Sequence, residues 1–239
     1  VQDNRRSEGF ELAAVLFDMD GTLIDSEKLW TIALNEVAHD LGGELSPETR
    51  AAMVGTDLVG SVRMLHTDIG YDGDIDVTKR LLVAAAARLF DGPLEWQPGA
   101  EELLVAVRVA GMRTALVTST HRNLVAKALE TLGRNRFDVL VCGDDVNNTK
   151  PDPEPYLRAL AELGVPAGAA IAIEDSPAGS TSARLAGLPV LVVPSELVVE
   201  PAPGLLLRSS LTGIDPTVLG GIAAELSHRE AAVDQSANG

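Results

Sequence analysis

The sequence predicts an α/β protein with an open parallel sheet at its core and a helical insertion after the first strand. Five short apolar runs carry the sheet: "LAAVLFD" (12–18), "RTALVTS" (113–119), "VLVCGDD" (139–145), "AAIAIED" (169–175) and "LPVLVVP" (188–194). Each is nearly continuous in apolar residues rather than alternating, as a strand is when both faces of its sheet are covered. Helical segments alternate with them, which implies right-handed crossovers and parallel pairing. The stretch from about 26 to 92 breaks that rhythm and carries the insertion.

The elements follow in order. After the first strand come "SEKLWTIALNEVAHDLG", "SPETRAAMVG", "DLVGSVRMLHTDIG" and "DVTKRLLVAAAARLF", all helical in pattern and without a convincing strand. A helical insertion at the carboxyl end of the first strand suits a cap over a site there. The boundaries expected are a core of residues 1–24 and 93–239 and a cap of residues 25–92. Beyond the cap, "PGAEELLVAVRVAG" (98–111) opens with Pro and closes with Gly, the usual asymmetry of helix ends. "HRNLVAKALETLG" (121–133) and "PEPYLRALAELG" (153–164) also close on Gly, and "SPAGSTSARLAG" (176–187) follows the fourth strand directly. The tail "ELSHREAAVDQSANG" reads as partly disordered.

Composition narrows the function. Aromatic residues are only 3% of the 239, so the core must be built from Val, Leu, Ile and Ala. Nineteen Lys and Arg against 35 Asp and Glu give a net charge of −16, which argues against nucleic acid or an anionic membrane as partner. The lone cysteine, Cys142, excludes an internal disulfide and reads as a structural thiol at a strand end. No apolar run reaches a membrane span, and "VQDNRRSEGF" lacks the apolar stretch of a secretory signal. A soluble, cytoplasmic protein, monomeric or a weak homodimer, is expected.

Polar clusters close the apolar runs. Asp18 and Asp20 end the first, Thr118 and Ser119 the second, Glu174 and Asp175 the fourth, and Lys150 follows the third in "NNTKPDPEPY". Ligands of open parallel sheets bind outside the carboxyl ends of the strands, so the clusters should converge. Asp18 can attack phosphorus and form an aspartyl-phosphate. Asp20 can protonate the leaving alcohol and then deprotonate water. Acids this close repel one another unless a divalent cation neutralises them, and oxygen-only ligands suit Mg²⁺. The Thr118 hydroxyl, the Ser119 N–H and Lys150 can bind phosphoryl oxygens. Each cluster alone has a blander reading. "DMDG" could be a turn, and Thr118–Ser119 and Glu174–Asp175–Ser176 could cap helices. A calcium loop fits poorly, because Thr22 and Leu29 stand where acids are needed.

The set "FDMDGTLIDSE", "LVTST", "KPDPEPYL" and "IEDSPAG" resembles the haloacid dehalogenase-like hydrolase superfamily over residues 12–215. The likeness is to its helical-cap subgroup of β-phosphoglucomutases and sugar-phosphate phosphatases, which implies a Rossmann-like core. The resemblance implies Asp18 as nucleophile, Asp20 as general acid/base, Thr118 and Lys150 as phosphate clamp, and Asp175 as metal ligand. It also implies that the Asp20 carbonyl binds Mg²⁺, with Glu174 supporting the metal directly or through water. Asp20 argues against dehalogenase chemistry, and neither cap lysine, Lys28 or Lys79, sits in a phosphonatase context. Trp30 aligns where β-phosphoglucomutases carry a histidine and Leu58 or a neighbour where they carry an arginine, which favours transfer to water. "DSEKLW" is similar to some hexose-phosphate phosphatases, so Glu27 and Trp30 are candidates to face substrate.

The four histidines, His39, His66, His121 and His228, have no metal-ligand spacing, and His121 reads as a surface residue at a helix start. The expectation is a Mg²⁺-dependent phosphomonoesterase acting on a small, sugar-like phosphate. An intramolecular phosphomutase is the alternative, followed by a non-catalytic binding protein.

Overall fold

The computed structural model describes residues 12–53, 56, 58–195 and 197–237, with side chains to residue 227. The expectation for residues 1–10 and the His228 side chain lie outside the described residues. Six strands form one parallel sheet in the order β3-β2-β1-β4-β5-β6. They are β1 Ala14–Phe17, β2 Arg113–Val117, β3 Val139–Val141, β4 Ala170–Glu174, β5 Val190–Val192 and β6 Leu205–Leu207. β1 is central, and the order reverses between it and β4, where a crevice opens at the carboxyl edge.

Each strand is shorter than its apolar run. Asp18, Ser119 and Asp175 lie just past the last paired residues, because the chain there turns its polar side chains out of the sheet. β6 escaped the sequence reading. Its three leucines are only partly buried at the sheet edge and follow "PAPG", so no long apolar run marks them.

Alternation in β1 splits the core. Val15 and Phe17 join one apolar cluster with α5 (Ala100–Val109), α6 (Arg122–Leu132) and α9 (Pro216–Ala237). Ala14 and Leu16 face the other cluster, with α7 (Glu154–Leu163) and α8 (Pro177–Leu185). Burying a side chain the size of Leu16 or Phe17 contributes roughly 1.5–3 kcal/mol. α9 corrects the expectation for the tail: helix runs to Ala237. Glu230, Ala231, Ala232 and Ala237 in its last turns are good helix formers.

The insertion comprises α1 (Glu27–Asp40), α2 (Pro47–Met53), α3 (Leu58–Ile69) and α4 (Ile75–Leu89). Ala33, Val37, Val62, Leu65 and Leu82 form its own apolar cluster, which Leu124 of α6 joins from below. Asp74 caps α4 by accepting the Asp76 and Val77 N–H groups. The Asp68 carboxylate ties α3 to the start of α2, accepting from the Ser46 N–H at 2.7 Å and the Thr49 hydroxyl at 2.7 Å. The two strands of chain that enter and leave the insertion pair with each other: the Asp25 N–H donates to the Glu95 carbonyl and the Gln97 N–H to that of Leu23. No helix among the described residues is long and apolar enough to cross a membrane.

Candidate active site

Strand register brings the acids together. Phe17 pairs with Ile173, so the next residues, Asp18 and Glu174, stand level on neighbouring strands. The Asp18 N–H donates to the Ile173 carbonyl at 3.0 Å, which holds Asp18 at the lip of the sheet. Strand alternation turns Asp18 and Glu174 towards the face that α7 covers.

Lys150 closes this corner from the loop between β3 and α7. Its ammonium donates to Asp18 Oδ1 at 2.7 Å, to Glu174 Oε1 at 2.6 Å and to the Val117 carbonyl at 2.8 Å. Those three acceptors use all three of its N–H bonds. The loop is itself tied down: the Glu154 carboxylate accepts the Asn147 and Asn148 N–H groups, and Ser182 Oγ donates to the Asp152 carbonyl. Burial works against the ammonium, but Asp18 and Glu174 outweigh it and raise the Lys150 pKa. Tyr156 lies beneath, fully buried, and its hydroxyl donates to Glu174 Oε1 at 2.5 Å.

Asp20 is held differently. Ser26 Oγ donates to its Oδ1 at 2.5 Å, and Thr120 and Thr118 donate to its Oδ2 at 2.7 and 3.2 Å. Burial and the nearby Asp18 charge raise the Asp20 pKa, while the three hydroxyls oppose them. Two carboxylates two residues apart thus have opposite company, an ammonium for one and neutral hydroxyls for the other.

Asp175 completes the acidic set. Asp18, Glu174 and Asp175 are all buried, and each offers an oxygen within 4.8 Å of the others. Burial, then Asp18 and its other acidic neighbours, raises the Asp175 pKa, and burial raises that of Glu174 against the pull of Lys150. Three buried carboxylates facing one ammonium, with only oxygen donors, fit a hard divalent cation such as Mg²⁺. Gly21, at φ +79°, makes the set possible: a Cβ there would lie 2.2 Å from Asp175 Oδ2. Gly179 does the same behind Glu174, where a Cβ would fall 1.9 Å from Oε2.

Above the acids is a cavity of about 290 Å³ between sheet edge and insertion. Asp18, Asp20, Thr118, Ser119, Lys150 and Asp175 line its floor. Trp30, Leu34, Met53, Leu58 and Leu82 make an apolar wall, broken by Glu27, Arg50 and Thr56. Trp30 packs edge-on against Phe90, and Arg50 Nε donates to Thr31 Oγ1 at 2.8 Å. His121 sits exposed at the position just before α6 and also reaches the cavity. Lys28 and Lys79 do not line it: Lys28 pairs with Asp25 and Lys79 with Asp76. His66 is buried against Thr78, His39 is exposed, and Cys142 is buried just past β3.

Four participants went unassigned in the sequence. Ser26, Thr120 and Tyr156 lie inside the quoted motifs, where the spacing marked them but gave them no task. Ser195, which donates to Asp175 Oδ2 at 2.5 Å and lies 3.2 Å from Glu27 Oε1, had no signal beyond being a serine after a strand.

This fold and floor define a hydrolase of one α/β class, and comparison places the chain in it. Residues 15–193 match the family model described as haloacid dehalogenase-like hydrolase, and the chain belongs to that family. It is 36% identical to Protein CbbY of Rhodobacter capsulatus over 198 residues, covering 78% of this chain and 87% of that one. It is 33% identical to the phosphorylated carbohydrates phosphatase of Thermotoga maritima over 178 residues, covering 74% and 82%. The crystal structure of CbbY from Rhodobacter sphaeroides in complex with phosphate superposes with a TM-score of 0.74 at 30% identity, covering 84% and 96%. The protein is a phosphatase of the haloacid dehalogenase-like family.

Proposed function

We propose that the protein hydrolyses a small, sugar-like phosphate monoester through an aspartyl-phosphate on Asp18, with Mg²⁺ as cofactor. The observation that carries this reading is the contrast between Asp18, paired with Lys150, and Asp20, wrapped by Ser26, Thr118 and Thr120. The ammonium orients Asp18 and offsets its charge as a phosphate approaches, whereas burial raises the Asp20 pKa and suits it to carry a proton.

In the first half-reaction an Asp18 oxygen attacks phosphorus and the bond from phosphorus to the ester oxygen breaks. Asp20 gives its proton to the departing alkoxide, which leaves as the alcohol. In the second, Asp20 takes a proton from water as the water oxygen attacks phosphorus. The phosphorus–Asp18 bond breaks, inorganic phosphate departs, and the Asp18 carboxylate is restored. The Ser119 N–H holds a phosphoryl oxygen, and so do Thr118 and Lys150 once the hydroxyl turns from Asp20 and one ammonium N–H turns from Asp18. Asp18, Glu174, Asp175 and the Asp20 carbonyl would hold Mg²⁺, which when bound supplies positive charge against the acids and the phosphoryl group.

Residues 25–92 act as a cap that carries specificity over a core of residues 1–24 and 93–239, with Glu27 and Trp30 against the leaving group. The sugar-like character is supported by the phosphorylated carbohydrates phosphatase of T. maritima. His121 reaches the cavity from the core, at the start of α6, and the insertion side offers no histidine to the leaving group, which favours release to water over return to a sugar phosphate. A panel of phosphate esters, assayed for phosphate release with EDTA and with Mg²⁺, tests the reading. Metal-dependent release is expected. Isomerisation of a sugar phosphate without release would mean a mutase, and undiminished rates in EDTA would remove the metal.

A further inference from the structure

We propose that Tyr156 is a positioning residue that aims Glu174 at the divalent cation, an inference that rests on the reading of Asp18, Glu174 and Asp175 as the Mg²⁺ site. Its hydroxyl and the Lys150 ammonium both donate to the same oxygen, Glu174 Oε1, at 2.5 and 2.6 Å. Convergence of two donors on Oε1 leaves Oε2 as the oxygen with lone pairs to spare. Among the described residues its further hydrogen bond is a long 3.4 Å approach from Ser176 Oγ. Gly179 lies directly behind the carboxylate, and this rotamer fits because the position carries no side chain. The Tyr156 hydroxyl and the Lys150 ammonium therefore fix Oε1 together.

The ring has a second task. The Lys150 ammonium lies 5.2 Å from its centroid, so one fully buried side chain supports both the phosphate clamp and the metal acid. Donors behind a metal ligand set its orientation, and losing one typically weakens metal binding by about 10-fold or more. Tyr156→Phe removes only the hydroxyl and keeps the ring under Lys150.

Two measurements on the full chain decide it. The first is calorimetric titration with Mg²⁺ alone. Tyr156→Phe is expected to raise the Mg²⁺ Kd about 10-fold, with kcat at saturating Mg²⁺ within about twofold of wild type. The second needs no variant at residue 156. The chain has two tyrosines, and Tyr71 sits in the insertion against His66. After uniform 3-fluorotyrosine labelling, with Tyr71→Phe to assign the signals, Mg²⁺ should shift the ¹⁹F resonance of Tyr156 saturably and leave that of Tyr71 in place. A Kd unchanged in a folded Tyr156→Phe, or a Tyr156 resonance that ignores saturating Mg²⁺, overturns the role of Tyr156 while the metal site stands. A wild type that takes up no Mg²⁺ overturns the metal site, and this inference with it.

Discussion

The Lys150 ammonium stands 2.7 Å from Asp18 Oδ1, although the two residues are 132 positions apart in the chain. Both side chains are nearly sealed from solvent, and the same ammonium reaches the fully buried Glu174. Removing one partner of a buried ion pair leaves a charge with nothing to face. Lys150→Met should therefore lower stability by about 3 kcal/mol and kcat by at least about 100-fold. Adding Glu174→Gln should restore part of the stability and none of the activity. Urea denaturation of the single and double variants measures it. A single variant as stable as wild type would contradict the pairing.

Asp20 makes a separable prediction. The proton-donor role proposed for it matters most when the leaving alcohol is a poor leaving group. Asp20→Asn should slow an alkyl phosphate by about 10²–10⁴-fold and p-nitrophenyl phosphate much less. Equal losses on both substrates would show that Asp20 serves some purpose other than protonating the leaving group.

Thr22 lies inside the same motif and earns the opposite expectation. Its hydroxyl is fully buried and is the buried side-chain atom without a hydrogen-bond partner among the described residues. A buried, unpartnered hydroxyl costs stability, so Thr22→Val should keep the activity and hold or raise stability by up to about 1 kcal/mol. Thermal unfolding and a kcat measurement check both halves. A clear loss of either would mean that the hydroxyl is in use.

Much of this was legible in the sequence, for physical reasons that differ by residue. The strands were readable because Val15, Leu16 and Phe17 have cover on both faces of the sheet and so form an apolar run. Leu205–Leu207 had cover on too little of their surface to leave that mark. Asp18 and Asp175 were readable as strand-end polar groups, and Lys150 as the lysine of a loop motif that follows the third strand. The Tyr156–Glu174 bond was not, because it depends on α7 packing across the sheet, which no local pattern encodes. Ser195 reaches Asp175 from a loop whose path tertiary structure alone decides.

Cys142 gives the pH dependence. Burial, with Asp145 and Asp144 adding to it and Arg122 opposing, pushes its thiol up to about 12. An unfolded cysteine titrates near 8.5. Between those values the unfolded chain gives up a proton that the folded chain keeps, so stability falls as pH rises. The wild type should lose roughly 2 kcal/mol relative to Cys142→Ala between pH 8 and pH 10. Chemical denaturation at a series of pH values reads the difference, and a difference independent of pH would contradict it. At pH 8 the folded thiol should also resist iodoacetamide until denaturant is added.

The most direct test of the account is to catch the phosphate on the protein. Acid quenching in the first turnover with p-nitrophenyl phosphate and Mg²⁺, followed by peptide mass spectrometry, should find one phosphoryl group on the peptide bearing Asp18, and none in Asp18→Asn. A first turnover that releases nitrophenol with no phosphoryl group on the chain, or with one on another residue, would contradict Asp18 as the nucleophile.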